Sequence, residues 1–148
     1  MPEATSTPSD PQAALRDDIR AQALALGFDA CGFGPASIPE RNQQRYQSFV
    51  ARGQHGTMDW MESRLEQRSD PQALWREARS VVVVGLNYGP EDNPLDRLDE
   101  PERANFSVYA ENRDYHDILK KRLKRLGRWI AEQTNGQALK VFVDTAPV

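Results

Sequence analysis

The sequence predicts an α/β fold, a mixed sheet flanked by helices, and three observations carry that prediction. Two segments, 9–26 and 112–133, repeat apolar residues at the 3.6-residue spacing of an amphipathic helix. Between them "RSVVVVGLNY", residues 79–88, contains the unbroken valine run of a strand covered on both faces. The end of the chain, "LKVFVDTAPV" at 139–148, alternates apolar and polar residues with the period of two that a strand requires. At 148 residues the chain has the size of one ordinary domain, with enough length for a single core.

Taken in order, residues 1–8 are polar and Pro-containing and read as disordered. The first helix has Ser9 and Gln12 at capping-box spacing and Pro11 in its first turn. Its apolar stripe is Leu15, Ile19, Ala23 and Leu26, with Gly27 placed to stop it. "FDACGFGPAS" follows as a short strand running into a Gly-Pro turn. Its "GFG" is not a nucleotide loop, because Ser37 stands where the third glycine of G-x-G-x-x-G belongs. Residues 39–52 read as helix, and "RGQHGTMDWM" as a glycine-bounded loop. Met58, Trp60 and Met61 in that loop fit a packing surface best, with the lining of a flat cofactor as the alternative.

After the valine strand comes a long acidic, Pro-rich loop, "GPEDNPLDRLDEPERANF", and then "SVYA" as another short strand. The second helix buries Leu119, Leu123, Leu126 and Ile130. Asp114 and Asp117 lie in its first turn and Lys/Arg residues in the later ones, an order that complements the helix dipole. Seven basic and two acidic residues fall between Arg113 and Ile130, in a chain whose net charge is -3. Such a run is either a solvated helix face or a contact for phosphates. Asn135-Gly136 then turns the chain into the last strand, where Leu139, Val141 and Val143 face one side and Lys140, Phe142 and Asp144 the other. A carboxylate at a strand's C-terminal end suits catalysis, although by pattern alone a turn or cap beside Thr145 and Pro147 fits it better.

Composition narrows the chemistry. A single cysteine, Cys31, excludes an internal disulfide and reads as a small buried apolar group. The two histidines, His55 and His116, lie outside any zinc-ligand spacing. Any redox chemistry therefore needs a borrowed cofactor. No stretch approaches the roughly 18 apolar residues of a membrane span, and "MPEATSTPSD" lacks the features of a signal peptide, so a cytoplasmic location is the default expectation.

Four stretches in order resemble the N-terminal part of the epoxyqueuosine reductase family: "HGTMDWMESR" at 55–64, "RSDPQALWREARSVVVVGLNY" at 68–88, "SVYAENRDYHDILKKRLKRLG" at 107–127 and "VFVDTAPV" at 141–148. The resemblance implies a nitroreductase-like cobalamin-binding domain over residues 9–148, incomplete at its C-terminus. It also implies an enzyme that uses cobalamin to reduce the epoxide of epoxyqueuosine in tRNA to queuosine. By resemblance Asp144 is the proton donor to the substrate oxygen and lies at the cofactor, Arg68 pairs with polar groups of the corrin, and Ser107 lies close to the cobalt. Tyr115 and His116 belong to the motif without an assigned contact. Full-length members are expected to be monomeric and carry two iron–sulfur clusters, for which this chain has no ligand set, and helical repeats that help hold tRNA. The expectation is thus a truncated N-terminal piece, inactive by itself. A non-catalytic cobalamin- or tRNA-binding module is the alternative, and a flavin-binding nitroreductase relative a third reading, kept open because a shared fold does not decide a cofactor.

Overall fold

The computed structural model describes residues 10–110 and 114–143. The proposed disorder of residues 1–8, the Ser9 cap and Asp144 lie outside them. Among the described residues the chain forms five α-helices and two β-strands, joined by 3-10 turns. It divides into two compact units, one built from residues up to Cys31 together with Val84–Val143, the other from Gly32–Val83.

In the first unit, α1 (Pro11–Ala25) starts with Pro11 at its first position and Asp10 as its cap, whose carboxylate accepts from Gln12 N–H at 3.0 Å. Asp10 thus takes the role assigned to Ser9. The helix ends as its sequence requires. Gly27, at φ +85°, donates to the Leu24 carbonyl while Phe28 donates back to Ala23, the paired bonds of a Schellman stop. That turn carries Phe28 against Ala23 and Leu126, the buried centre of the unit, around which Leu26, Leu119, Leu123 and Ile130 pack.

The second long helix, α5 (Tyr115–Gln133), is held to α1 by Arg122, whose guanidinium donates to the Gly27 carbonyl at 2.6 Å. A cation is favourable at a helix C-terminus, where carbonyls lack intrahelical partners. The turn after α5 uses left-handed backbone at Asn135 and Gly136, φ +53° and +81°, as the Asn-Gly pair predicts.

The sheet is smaller than expected. β1 (Ala30–Pro35) pairs with β2 (Ser80–Gly85) and nothing else among the described residues. Asp29 N–H donates to the Gly85 carbonyl and Ala36 N–H to that of Arg79, so the strands run antiparallel. The valine strand is accordingly not covered on both faces, and Val83 stands 62% exposed. "SVYA" is a 3-10 turn at Val108–Ala110, closed by Ala110 N–H donating to the Ser107 carbonyl, rather than a strand. Residues 139–143 also lack a ladder, since no partner strand supplies the hydrogen bonds that define one. Their alternation survives in part: Leu139 and Val141 lie over Gly127 of α5, where an added Cβ would meet Leu139 Cδ1 at 2.8 Å.

In the second unit α2 (Glu40–Ala51) matches the expected helix. Two short helices, α3 (Leu65–Ser69) and α4 (Pro71–Leu74), lead into β2. Neither is visible as periodicity, because each is a single turn or little more. Asp70 separates them in extended backbone and caps α4 by accepting from Gln72 N–H at 2.9 Å.

Candidate functional site

The loop between α2 and α3 builds the most organised surface of the second unit. Gly53 and Gly56, at φ +65° and +61°, let the chain reverse tightly. His55 between them is buried, its side chain 6% exposed, with Nε2 2.9 Å from Glu62 Oε1. The 3-10 turn Asp59–Met61 is tied to α2 by the Tyr46 hydroxyl, which donates to the Met61 carbonyl at 2.8 Å. The Ser63 hydroxyl donates to the Trp60 carbonyl at 2.7 Å.

These anchors hold the backbone while the side chains point out. Trp60 is 54% exposed and Met58 44%, so they are not the packing surface that the sequence favoured. Arg68, half-buried on α3, sets its guanidinium over the Trp60 ring at 4.7 Å and donates from Nε to the Ser63 carbonyl at 3.3 Å. A guanidinium over an indole face is attracted by the ring quadrupole. The result is a flat aromatic surface with a fixed planar cation, suited to a ligand that is itself flat and fringed with polar groups.

In the first unit Ser107 is exposed beside Phe106, which is 67% exposed, and opens the 3-10 turn before α5. Asp114 caps α5, accepting from His116 N–H at 2.9 Å and contacting His116 Nδ1 at 2.7 Å. Those bonds, the backbone one first, hold the Asp114 carboxyl below the ordinary aspartate range. Tyr115 stacks on the His116 ring at 4.3 Å. Within the "RDYH" motif the helix cap is Asp114, with Tyr115 and His116 in the first turn behind it.

Arg68 and Ser107 belong to different compact units and Asp144 lies outside the described residues, so each stands in its own surroundings. Cys31 is half-buried, and burial pushes its thiol up against a smaller opposing pull from Arg20, as suits an unreactive packing residue. Among the described residues no cluster of His, Cys, Asp or Glu could hold a metal ion, and no helix is long and apolar enough to cross a membrane. Sequence reasoning missed the His55–Glu62 pair, whose only signal is a histidine set between two turn glycines. It also missed a groove between α1 and α5, about 340 Å³, lined by Gln22, Leu26, Arg125, Arg128, Trp129 and Glu132.

Comparison with known proteins bears on the whole chain. Residues 68–145, which include Arg68, Ser107 and Asp144, match the family described as epoxyqueuosine reductase QueG, DUF1730. The epoxyqueuosine reductase of Cellulophaga algicola is 36% identical over 132 residues, 89% of this chain and 42% of that protein. That of Leadbetterella byssophila is 38% identical over 131 residues, 88% of this chain and 42% of the relative. The Xanthomonas campestris pv. campestris enzyme is 35% identical across 100% of this chain and 41% of its own length. The chain therefore spans about two fifths of these relatives. No solved structure matches. With more than half of its residues covered by the family model, the chain belongs to the epoxyqueuosine reductase family.

Proposed function

We propose that this chain is the N-terminal portion of an enzyme that reduces the epoxide of epoxyqueuosine in tRNA to queuosine, with cobalamin bound beside Arg68 and Ser107 and Asp144 as the proton donor. The observation that carries the reading is the Arg68–Trp60 pair. It lies at and just before the start of the family-matched stretch, and presents an exposed ring with a fixed cation. Such a surface fits a planar macrocycle with amide side groups: the ring accepts apolar contact, and the guanidinium donates in a planar fork.

Cobalamin, when bound, supplies the reducing electrons. Removing an epoxide oxygen to leave an alkene consumes two electrons and two protons and releases water. Asp144 serves that balance by protonating the oxygen as negative charge develops on it, which spares the formation of a free alkoxide. Arg68 would hold the cofactor through its polar fringe, and Ser107 would offer it a small hydroxyl. The single cysteine, Cys31, means that no cluster-binding cysteine set comes from this stretch.

The test is an Asp144→Asn substitution at the chromosomal locus, with the nucleosides of digested tRNA measured by mass spectrometry. Loss of a positioned general acid removes about 10²–10⁴ in rate, so epoxyqueuosine should accumulate and queuosine fall. Undiminished queuosine would remove Asp144 from the chemistry.

A further inference from the structure

The basic residues of α5 do not all do the same work. Arg122 is committed to the Gly27 carbonyl and serves the fold. Lys121, Lys124, Arg125 and Arg128 are exposed and stand at i, i+3, i+4 and i+7, a single stripe opposite buried Leu126 and half-buried Leu119, Leu123 and Ile130. The stripe covers about 10 Å of helix. Arg128 is steadied by its Nε donating to the Lys124 carbonyl at 3.2 Å, a bond in which its two terminal nitrogens take no part. Along one flank runs the groove to α1, where half-buried Trp129 lies with Leu26, Gln22 and Glu132.

A solvated helix face needs no aromatic ring set in a groove beside it. Four aligned cations on a chain of net charge -3, next to a partly open indole, match a polyanion that also carries flat rings. We infer that the α1–α5 groove is an RNA-docking surface. Backbone phosphates lie along Lys121, Lys124, Arg125 and Arg128, and an unpaired base packs on Trp129. Glu132, which would repel a phosphate, lines the groove and accepts a hydrogen bond from a ribose 2′-hydroxyl or a base amino group. An acidic peptide would satisfy the cations and leave the indole without a counterpart. The choice of RNA rests on the functional reading above, which requires a tRNA.

The experiment is fluorescence anisotropy of a labelled anticodon-type RNA hairpin with the whole chain, over a series of salt concentrations. Arg125→Glu with Arg128→Glu should weaken binding about tenfold or more and lower the salt slope by about 2. Trp129→Leu should weaken it about fivefold or more, with Trp129→Phe close to the unsubstituted chain. Arg41→Glu with Arg45→Glu, the same charge change on exposed positions of α2, should have a much smaller effect. If the glutamate pair unfolds α5 by circular dichroism, Arg125→Gln with Arg128→Gln removes the charges and keeps helix-forming residues.

Equal weakening by the α2 pair, no RNA binding at all, or displacement of RNA by polyglutamate at equal charge would each overturn the inference. Cobalamin titration of the same proteins separates the two readings. RNA binding that maps to the stripe supports this surface whether or not the chain takes up cobalamin, while cobalamin uptake without RNA binding would overturn the surface and leave the proposed function standing.

Discussion

His55 shows how much a single residue can decide. Its imidazole is buried between two glycines that no side chain could easily replace, and its Nε2 meets the carboxylate of Glu62, which is itself largely in solvent. Its Nδ1 has no hydrogen-bond partner among the described residues, so the Glu62 bond is what offsets the cost of burying the ring's polar atoms. Glu62→Leu should therefore destabilise the protein by about 1–3 kcal/mol in urea denaturation, with Glu62→Gln recovering most of the loss. Equal stability of all three would show that the pair does not hold the loop. The same loop displays Trp60, on which Arg68 of α3 rests, so its anchored backbone bears on the candidate cofactor surface. The sequence marked Arg68 through a motif, and only the fold shows that its guanidinium rests on Trp60.

At the scale of elements, α5 was the most legible part of the chain. Its apolar stripe, its Asp114 end and its Asn-Gly stop were all readable, because each rests on contacts within a few residues. The helix is also where pH should act. The Asp114 carboxyl is held below the ordinary aspartate value by the His116 backbone and side chain, so its contribution is full above that value, about pH 3.9. It is lost as pH falls through the lowered value, when the protonated acid no longer accepts both bonds. Asp114→Asn keeps a capping oxygen and removes the charge. Comparing the two proteins by circular dichroism should show a stability difference at pH 5–6 that shrinks as pH falls below 4. A difference independent of pH would assign the cap's value to geometry alone. The strands were less legible. "SVYA" and 139–143 have strand-like composition, yet a strand exists only where another supplies its hydrogen bonds, and none does among the described residues.

For the whole molecule the telling feature is apolar surface in solvent. Tyr88, Leu95, Leu98 and Phe106, all in the first unit, are between 62% and 67% exposed. Scattered exposed apolar residues are ordinary, but four within one connecting segment favour association. The chain should self-associate with rising concentration in sedimentation velocity, and Leu95→Ser with Leu98→Ser and Phe106→Ser should reduce both that tendency and dye binding to apolar surface. A monomer at every concentration that binds no dye would show that this surface attracts no partner.

The sequence by itself determined the long helices and their apolar stripes, the β1 and β2 segments and the family to which the chain belongs. These rest on local rules: a helix face repeats every few residues, a glycine permits a left-handed turn, and a motif is read in order. The tertiary structure decided the rest. It exposed the Trp60 ring beside Arg68, committed Arg122 to the fold while leaving its neighbours to solvent, and showed β2 as one of only two paired strands among the described residues. Each depends on which distant residue arrives alongside, and neither composition nor spacing records that.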